Sequence, residues 1–223
     1  MGQARRIAAG LVAAALLATS VGCAAPAHSY TYAADSADNA FFKVPASWQP
    51  INPHLLAAIQ ASELTNSAAG PAGGSFAWSR AYTEHWDASA GALLTASTEP
   101  VVYASVQSLN PALREALSFD FMRDVLLPVT AEARQVAAAA GAKLTGFTLI
   151  RTTEITMDDG VRGINELYEY TINGRPDAFD QTVLTNTSTT KLYLLLVQCY
   201  QSCFVAHQAQ IKAVVNSFTV RGS

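Results

Sequence analysis

The six residues Leu192-Tyr193-Leu194-Leu195-Leu196-Val197 are all apolar, and this stretch decides the fold class. A strand with one face in water alternates polar and apolar side chains, whereas a strand buried on both faces is a continuous apolar run. The stretch therefore predicts a strand in the middle layer of a sandwich. Helices are the expected covering layers on both of its faces.

Three more predicted strands precede this stretch, and turn sequences separate them. The strands are expected at 144–157, 161–172 and 179–186, followed by the apolar run at 192–197. Asp158-Asp159-Gly160 and Asn173-Gly174 tolerate the positive φ angles that tight hairpin turns require. The C-terminal half is therefore predicted to form a four-stranded antiparallel meander.

Shorter strands and several helices are predicted around the meander. The strands are expected at 41–45, 76–82, 101–107 and 218–220, and the helices at 53–64, from Asn110-Pro111 to an interruption at Pro128, at 131–140 and at 203–216. Thr130 is a suitable N-cap for the helix at 131–140, and Gly141 is a suitable stop. The predicted fold class is α+β, a three-layer αβα sandwich with a central, mostly antiparallel sheet and helices on both faces.

The first 22 residues have the pattern of an export signal peptide. Arg5 and Arg6 form a positive start, 7–21 is uncharged and rich in Ala and Leu, and small residues precede Cys23. This pattern resembles a bacterial lipobox, which predicts that Cys23 is lipidated and anchors the chain to the outer face of the cell membrane. The alternatives are a secretory signal cut near Ala25 or Ala27, and a retained membrane helix, which the weakly apolar Ala and Gly disfavour.

The mature chain is expected to be a single domain behind a short tether. Residues 23–40 are predicted to hold the lipidated cysteine and a flexible spacer, and 41–223 the folded domain. The whole chain has 14 basic and 17 acidic side chains, and removal of the leader removes two arginines, so its net charge changes from −3 to −5. This acidic balance argues against a nucleic-acid partner, which would require clustered positive charge.

Two segments of the chain resemble PsbP-like domains. Residues 42–48 (FKVPASW) are similar to the opening strand and turn of these domains, and 192–220 to their closing strand, helix and end. The secreted actinobacterial lipoproteins of the LpqN type resemble this layout, including the leader. The resemblance implies a three-layer sandwich and a non-enzymatic accessory or binding role. It transfers no functional residue, because the family has no shared catalytic motif.

Cys199 and Cys203 flank three residues at the predicted junction of the last long strand and the following helix. In an exported protein such a pair is expected to form a disulfide. Free thiols, or a redox or metal-binding pair, are the alternatives. Redox pairs usually have two intervening residues, and a metal would need further ligands nearby.

Several polar groups are candidates for chemistry, and each has a structural alternative. Ser188-Thr189-Thr190-Lys191 matches the S-x-x-K nucleophile motif without its companion motifs, so a turn is favoured. His207 lies beside an apolar helix face, where a packed residue is the usual role. The strand residues that could pair as ions or form an acid–base site are Arg151, Glu154, Glu166 and Glu169.

The segment Glu84-His85-Trp86-Asp87 lies in a long polar connection, 83–100. Its acids and histidine could bind a metal or exchange protons, but a solvated loop is the simpler interpretation. Trp78, His85 and Trp86 are the candidate contacts for a partner, because aromatic side chains often anchor interfaces.

These observations favour a non-catalytic binding or accessory module of the cell envelope. The expected partners are an envelope protein or a small apolar molecule, and the sequence predicts neither a cofactor nor a metal. An envelope hydrolase or other enzyme with an unrecognised acid–base site is one alternative, and a purely structural envelope protein is another.

Overall fold

The computed structural model describes residues 29–54, 56–57, 75–84 and 97–221, and these form two antiparallel sheets with short helices. The strands are β1 (Tyr30–Asp35), β2 (Ala40–Pro45), β3 (Gln49–Pro50), β4 (Ser75–Thr83), β5 (Val101–Ser108), β6 (Leu144–Thr156), β7 (Arg162–Ile172), β8 (Arg175–Thr185), β9 (Lys191–Tyr200) and β10 (Thr219–Val220). The helices are α1 (Pro111–Ala116), α2 (Phe119–Arg123), α3 (Ala131–Ala139), α4 (Gln201–Ala206) and α5 (Gln208–Val215).

The large sheet has seven strands in the order β3-β4-β5-β9-β8-β7-β6. Strands β6 to β9 follow one another as an antiparallel meander, as the sequence predicts. The turn between β7 and β8 has positive φ at Asn173 (53°) and Gly174 (80°), and Gly160 in the preceding turn has a φ of 83°. These turn residues therefore fix the register that places polar side chains of neighbouring strands side by side.

Strand β9 is buried on both faces, which confirms the prediction made from its apolar run. Tyr193, Leu195 and Val197 belong to one hydrophobic cluster, and Leu192, Leu194 and Leu196 belong to a second cluster on the opposite face. We call the side covered by α1 and α2 the α2 face, and the opposite side, covered in part by α4 and α5, the α5 face. The α+β sandwich with an antiparallel central sheet is thus confirmed.

The covering layer on the α5 face contains strands as well as the expected helices. A three-stranded sheet, in the order β1-β2-β10, places Phe42, Val44 and Val220 in the same hydrophobic cluster as α5. The sequence could not predict this layer, because the layer pairs β2, near residue 40, with the two-residue strand β10 at Thr219–Val220. Such pairing depends on the tertiary fold.

The structure places a strand before the predicted domain boundary at Phe41. Tyr30–Asp35 forms β1 and pairs with β2 along its whole length, so the segment expected to be tether includes a strand. Its small and polar residues hid the strand, since only Ala33 of β1 is buried. The hairpin closes through a turn in which Asn39 has a φ of 55°.

Helix ends follow the predicted caps, but two predicted helices are divided. Thr130 caps α3 by accepting a hydrogen bond from the amide of Ala133. The helical stretch after Asn110 is broken into α1 and α2, with a new cap at Ser118. The C-terminal helix begins at Gln201 and breaks at His207. Of the predicted helix at 53–64, Pro53, His54, Leu56 and Ala57 are helical, and the remainder lies outside the described residues.

No helix in the described parts of the chain has both the length and the apolar character needed to cross a membrane.

Candidate functional site

The residues that the structure describes cover the α5 face of the large sheet only in part, and a groove lies beside α5. The floor is β6, β7 and β8, and α5 and the residues after it form one wall. We call this space the α5 groove. Its volume is about 430 Å³, and its lining includes Arg151, Asp180, Ile155, Met157, Lys212 and Phe218.

The strand register arranges the floor of the α5 groove in rows from polar to apolar. Residues directly opposite each other in a sheet lie on the same face. The first row contains Arg151, Leu167 and Asp180, and the second contains Thr153, Asn165 and Thr182. The third row contains Ile155, Gly163 and Leu184, and Met157 follows beyond it. The groove therefore has a polar end at β6 residue 151 and an apolar end at residues 155–157.

A hydrogen-bond network holds the side chains at the polar end. Asn165 donates through Nδ2 to Asp180 Oδ1 at 2.6 Å and to Thr182 Oγ1 at 3.0 Å. Arg151 donates through Nη2 to Asp180 Oδ2 at 3.1 Å and to Asn165 Oδ1 at 3.0 Å. Both carboxylate oxygens of Asp180 are thus engaged. The network fixes the position of the Arg151 guanidinium at the edge of the groove.

Asp180 is buried, and burial raises the pKa of its carboxyl group above the ordinary value. The hydrogen bond from Asn165 and the charge of Arg151 oppose this effect and favour the ionised form. Arg151 itself is 49% exposed, so its charge faces solvent as well as Asp180. The site thus combines a buried carboxylate, Asp180, with a guanidinium cation, Arg151, that is accessible from the groove.

The α2 face of the same strands carries a second polar cluster, which is enclosed. Glu166 is fully buried beneath α2, and its Oε1 accepts a hydrogen bond from Thr152 Oγ1 at 3.3 Å. Arg123 Nε lies 3.3 Å from the same oxygen, within ion-pair distance but without hydrogen-bond geometry. Gln181 joins the cluster to α2 by donating to the carbonyl oxygens of Met122 and Arg123, each at 3.1 Å.

Burial dominates the electrostatics of Glu166 and raises the pKa of its carboxyl group, against the opposing charge of Arg123. Its Oε2 is buried and makes no hydrogen bond to any residue that the structure describes. Because no solvent reaches Glu166, the cluster offers no room for a ligand at this carboxylate. Its arrangement is that of a structural tie between the sheet and α2.

The predicted strand ions do not form one site. Arg151 and Glu166 lie on opposite faces, and Arg151 pairs with Asp180, a residue that the sequence analysis did not select. Glu169 accepts hydrogen bonds from Gln201 Nε2 at 3.0 and 3.1 Å, and Glu154 is exposed. Pairing between charged strand residues was expected, but the partners differ because the register could not be known from the sequence.

The residues that the sequence analysis missed are Asp180, Asn165 and Arg123. A usable signal was present: Asn165-Glu166 and Asp180-Gln181 are consecutive polar pairs inside strands that are otherwise buried. Two adjacent polar residues in a buried strand place one polar side chain on each face. Both faces therefore need polar partners, which the two clusters supply.

The remaining candidates have structural surroundings. Cys199 and Cys203 form a disulfide, with Cα atoms 5.9 Å apart, at the junction of β9 and α4. Ser188 and Thr190 share a 2.9 Å hydrogen bond in the turn before β9, and Asn186 accepts from the amide of Thr190. Lys191, the last residue of the S-x-x-K match, forms an ion pair with Asp38.

His207 and Trp78 are both partly buried. His207 Nδ1 lies 3.0 Å from Gln210 Oε1 and 3.8 Å from Glu84 Oε2, so Glu84 of the predicted polar segment does reach another element. Trp78 packs edge-on against Phe42, with ring centroids 6.3 Å apart, and therefore contributes to the core as well as to the surface. Cys23, His85 and Trp86 lie outside the described residues. Within the described ranges, no group of three or more His, Cys, Asp or Glu is placed to hold a metal ion.

Comparison with solved structures finds distant similarities. The chain is similar to the cyanobacterial PsbP protein (CyanoP) of Synechocystis sp. PCC 6803, with 14% identity, a TM-score of 0.49, and coverage of 88% of this chain and 95% of that one. It is also similar to the Ran-binding protein Mog1p of Saccharomyces cerevisiae, with 9% identity, a TM-score of 0.43, and coverage of 86% and 96%.

A third similar structure is LpqN of Mycobacterium tuberculosis, described as involved in cell envelope biogenesis, with 12% identity, a TM-score of 0.40, and coverage of 82% and 83%. No family model matches the chain, and no curated protein matches it. At these identities and TM-scores the similarities assign neither a family nor a function.

Proposed function

We propose that this chain is a non-catalytic binding module of the cell envelope and that the α5 groove is its ligand site. The observation that carries the proposal is the groove itself: about 430 Å³ of open space whose floor changes in successive rows from polar to apolar. Small-molecule sites are typically concave, within this range of volumes, and lined by apolar groups with a few placed polar ones.

The surroundings of the buried acids support a role without catalysis. A general acid or base must reach the substrate proton within hydrogen-bond distance. Both oxygens of Asp180 are engaged by Asn165 and Arg151, and Glu166 is enclosed beneath α2. Each acid therefore serves its neighbours in the fold, and the exposed Arg151 suits binding better than proton transfer.

The proposed location is the outer face of the cell membrane, with the chain anchored through a lipid on Cys23. The export pattern of residues 1–22 supports this location. Because β1 begins at Tyr30, only six residues separate it from Cys23, and they span at most about 20–22 Å. The anchored domain would thus stay close to the bilayer surface. Fatty-acid labelling of the full chain should succeed, and a Cys23→Ala variant should take up no label.

The binding role is tested by hydrogen exchange on the mature chain, with and without a lipid extract of its own membranes. We expect added protection in β6 between residues 151 and 157 and in α5, because these segments line the groove. Two matched variants of β6 serve as controls: Ile155→Ser changes the groove lining, whereas Ile150→Ser changes an exposed residue outside it.

Protection that Ile155→Ser abolishes and Ile150→Ser preserves would support the proposed site. Unchanged exchange in both segments would overturn it. Protection confined to β4 around Trp78 would also overturn it, and would favour the surface that the sequence analysis selected for a partner.

A further inference from the structure

We propose that the α5 groove takes a single-chain amphiphile with one anionic head group. The head group binds Arg151 and Lys212, and the apolar chain lies along Ile155, Met157 and Phe218. This inference rests on the proposed function, since it names the ligand class of the same site.

Arg151 has free donor capacity that faces the groove. Its hydrogen bonds to Asp180 and Asn165 both use Nη2, so Nη1 and Nε have no protein acceptor among the described residues. The guanidinium is held in place by these two contacts while half of the side chain remains exposed. A guanidinium whose Nη1 and Nε donors are free can donate a charge-assisted hydrogen bond to a carboxylate or phosphate oxygen.

The charged residues that line the groove leave a net positive charge. They are Arg151, Lys212 and Asp180, and Asp180 is committed to Arg151 and Asn165. Lys212 forms no ion pair with any residue in the described part of the chain. Counted over the described lining residues, the groove therefore has one more positive than negative charge, whereas the chain as a whole is negative. This local reversal of sign favours an anionic ligand.

The apolar end of the groove suits a hydrocarbon chain. Ile155, Met157 and Val215 are only partly buried, although each packs against the core cluster. A ligand chain lying there would remove apolar surface of these residues from water, which is favourable in proportion to the area buried.

A peptide strand added to the sheet fits this site less well than an amphiphile. Strand β6 is the last strand of the large sheet and so offers an open edge. Its pairing with β7 is interrupted by irregularities between Thr145 and Thr148 and between Leu149 and Arg151. Bulges of this kind are a common device by which edge strands avoid further pairing.

The test is calorimetric titration of the mature chain with three probes that share a twelve-carbon chain and differ in head-group charge. They are dodecanoate (anionic), dodecanol (neutral) and dodecyltrimethylammonium (cationic), each below its micellar concentration. We expect dodecanoate to bind at least tenfold more tightly than the other two. Arg151→Gln and Lys212→Gln should each weaken dodecanoate binding, the first by about tenfold. Arg162→Gln, which removes an exposed positive charge of β7 outside the groove, should change the affinity less than twofold.

Arg151→Lys separates charge from geometry: it keeps the positive charge but loses the fixed, planar donors of the guanidinium, so it should bind dodecanoate at an intermediate affinity. The melting temperature of each variant is measured first, and only variants that remain folded are compared. Equal affinity for dodecanoate and dodecanol, both lost in Ile155→Ser, would overturn the anionic head group but leave groove binding intact. No dodecanoate binding at millimolar concentration would overturn the amphiphile, while hydrogen exchange with the native extract decides the proposed function separately.

Discussion

The two faces of the large sheet carry comparable polar clusters on the same strands, yet within the described parts of the chain only one cluster lies under a helix. On the α2 face, Glu166 is fully enclosed and faces Arg123 of the covering helix. On the α5 face, one residue away on β7, Asn165 joins Asp180 and Arg151 at the edge of an open groove. The same strands thus supply a buried acid to both faces, and only the cover differs.

Coverage by a helix, more than residue type, therefore decides whether a polar cluster only stabilises the fold or can also bind a ligand. An enclosed charge needs its partner for stability, because removal of that partner leaves a charge that water cannot reach. A pair at an open groove is screened by solvent, contributes little to stability and remains available to a ligand.

Arg123→Met should destabilise the protein by about 2–3 kcal/mol, because it leaves the Glu166 carboxylate buried without a cation. Urea unfolding at pH 7.5 measures the free energy of unfolding. The double variant Arg123→Met/Glu166→Gln should recover part of this loss, since the buried charge is then absent. A loss below about 0.5 kcal/mol in the single variant would contradict the structural role of the enclosed pair.

Replacement of both Cys199 and Cys203 by Ala should lower the free energy of unfolding by about 2 kcal/mol, the chain-entropy value for a five-residue loop. The disulfide joins β9 to α4, on the face that carries the groove. Wild-type protein unfolded with a reductant present provides the matched control and should show the same loss. An unchanged unfolding midpoint in both samples would mean that burial alone holds this junction.

Asp177→Asn should make stability less dependent on pH. Asp177 lies opposite Tyr170 on the α2 face, and burial raises the pKa of its carboxyl group to about 6, against the opposing charge of Arg175. Since the folded pKa is above the unfolded value, the stabilising contribution is present below about pH 4 and is lost as the pH rises through about 6. The whole rise of about two pKa units corresponds to roughly 3 kcal/mol, and the variant should gain at least about 1 kcal/mol of this relative to wild type between pH 4 and pH 7.5.

Thermal unfolding at several pH values measures this difference. A gain of that size corresponds to a melting temperature higher by about 2–4 °C at pH 7.5. Asp158→Asn, which changes an exposed acid in the turn between β6 and β7, is the control and should follow the wild type. A constant difference between Asp177→Asn and wild type at all pH values would show that Asp177 does not titrate in this range.

Arg151→Met should cost less than about 1 kcal/mol, because Arg151 is half exposed and Asp180 keeps its hydrogen bond from Asn165. The same urea unfolding experiment compares it directly with Arg123→Met. If the two arginines proved equally important to stability, the contrast between the covered and open faces would be wrong.

Much of the fold could be predicted because it depends on sequence patterns that span only a few residues. The apolar run at 192–197, the Asp-Gly and Asn-Gly turns and the Thr130 cap each act over a few residues, so their physical meaning does not depend on the rest of the chain. Strand β1 was missed for the same reason, since its burial comes from pairing with β2 rather than from an apolar pattern of its own.

The candidate site was predicted only in part. Arg151 and Glu166 were selected, but their partners Asp180 and Arg123 were not, and the two residues proved to lie on opposite faces. A shift of one residue in register reverses the face of a strand side chain, and the two register irregularities between β6 and β7 have no signal in the sequence. The position of α2 above Glu166 could not be predicted from the sequence either.

The apolar run at 192–197 and the turn residues were therefore enough to predict that β9 is the central strand of a sandwich and that β6 to β9 form an antiparallel meander. The pairing of Glu166 with Arg123 and of Asp180 with Arg151 depends on the tertiary structure. So does the groove over β6 and β7, where the sheet extends past α5. The physical reason is range: hydrophobic periodicity and turn conformation act between neighbours in the chain, whereas pairing across strands and coverage by a helix depend on residues brought together from distant parts of the sequence.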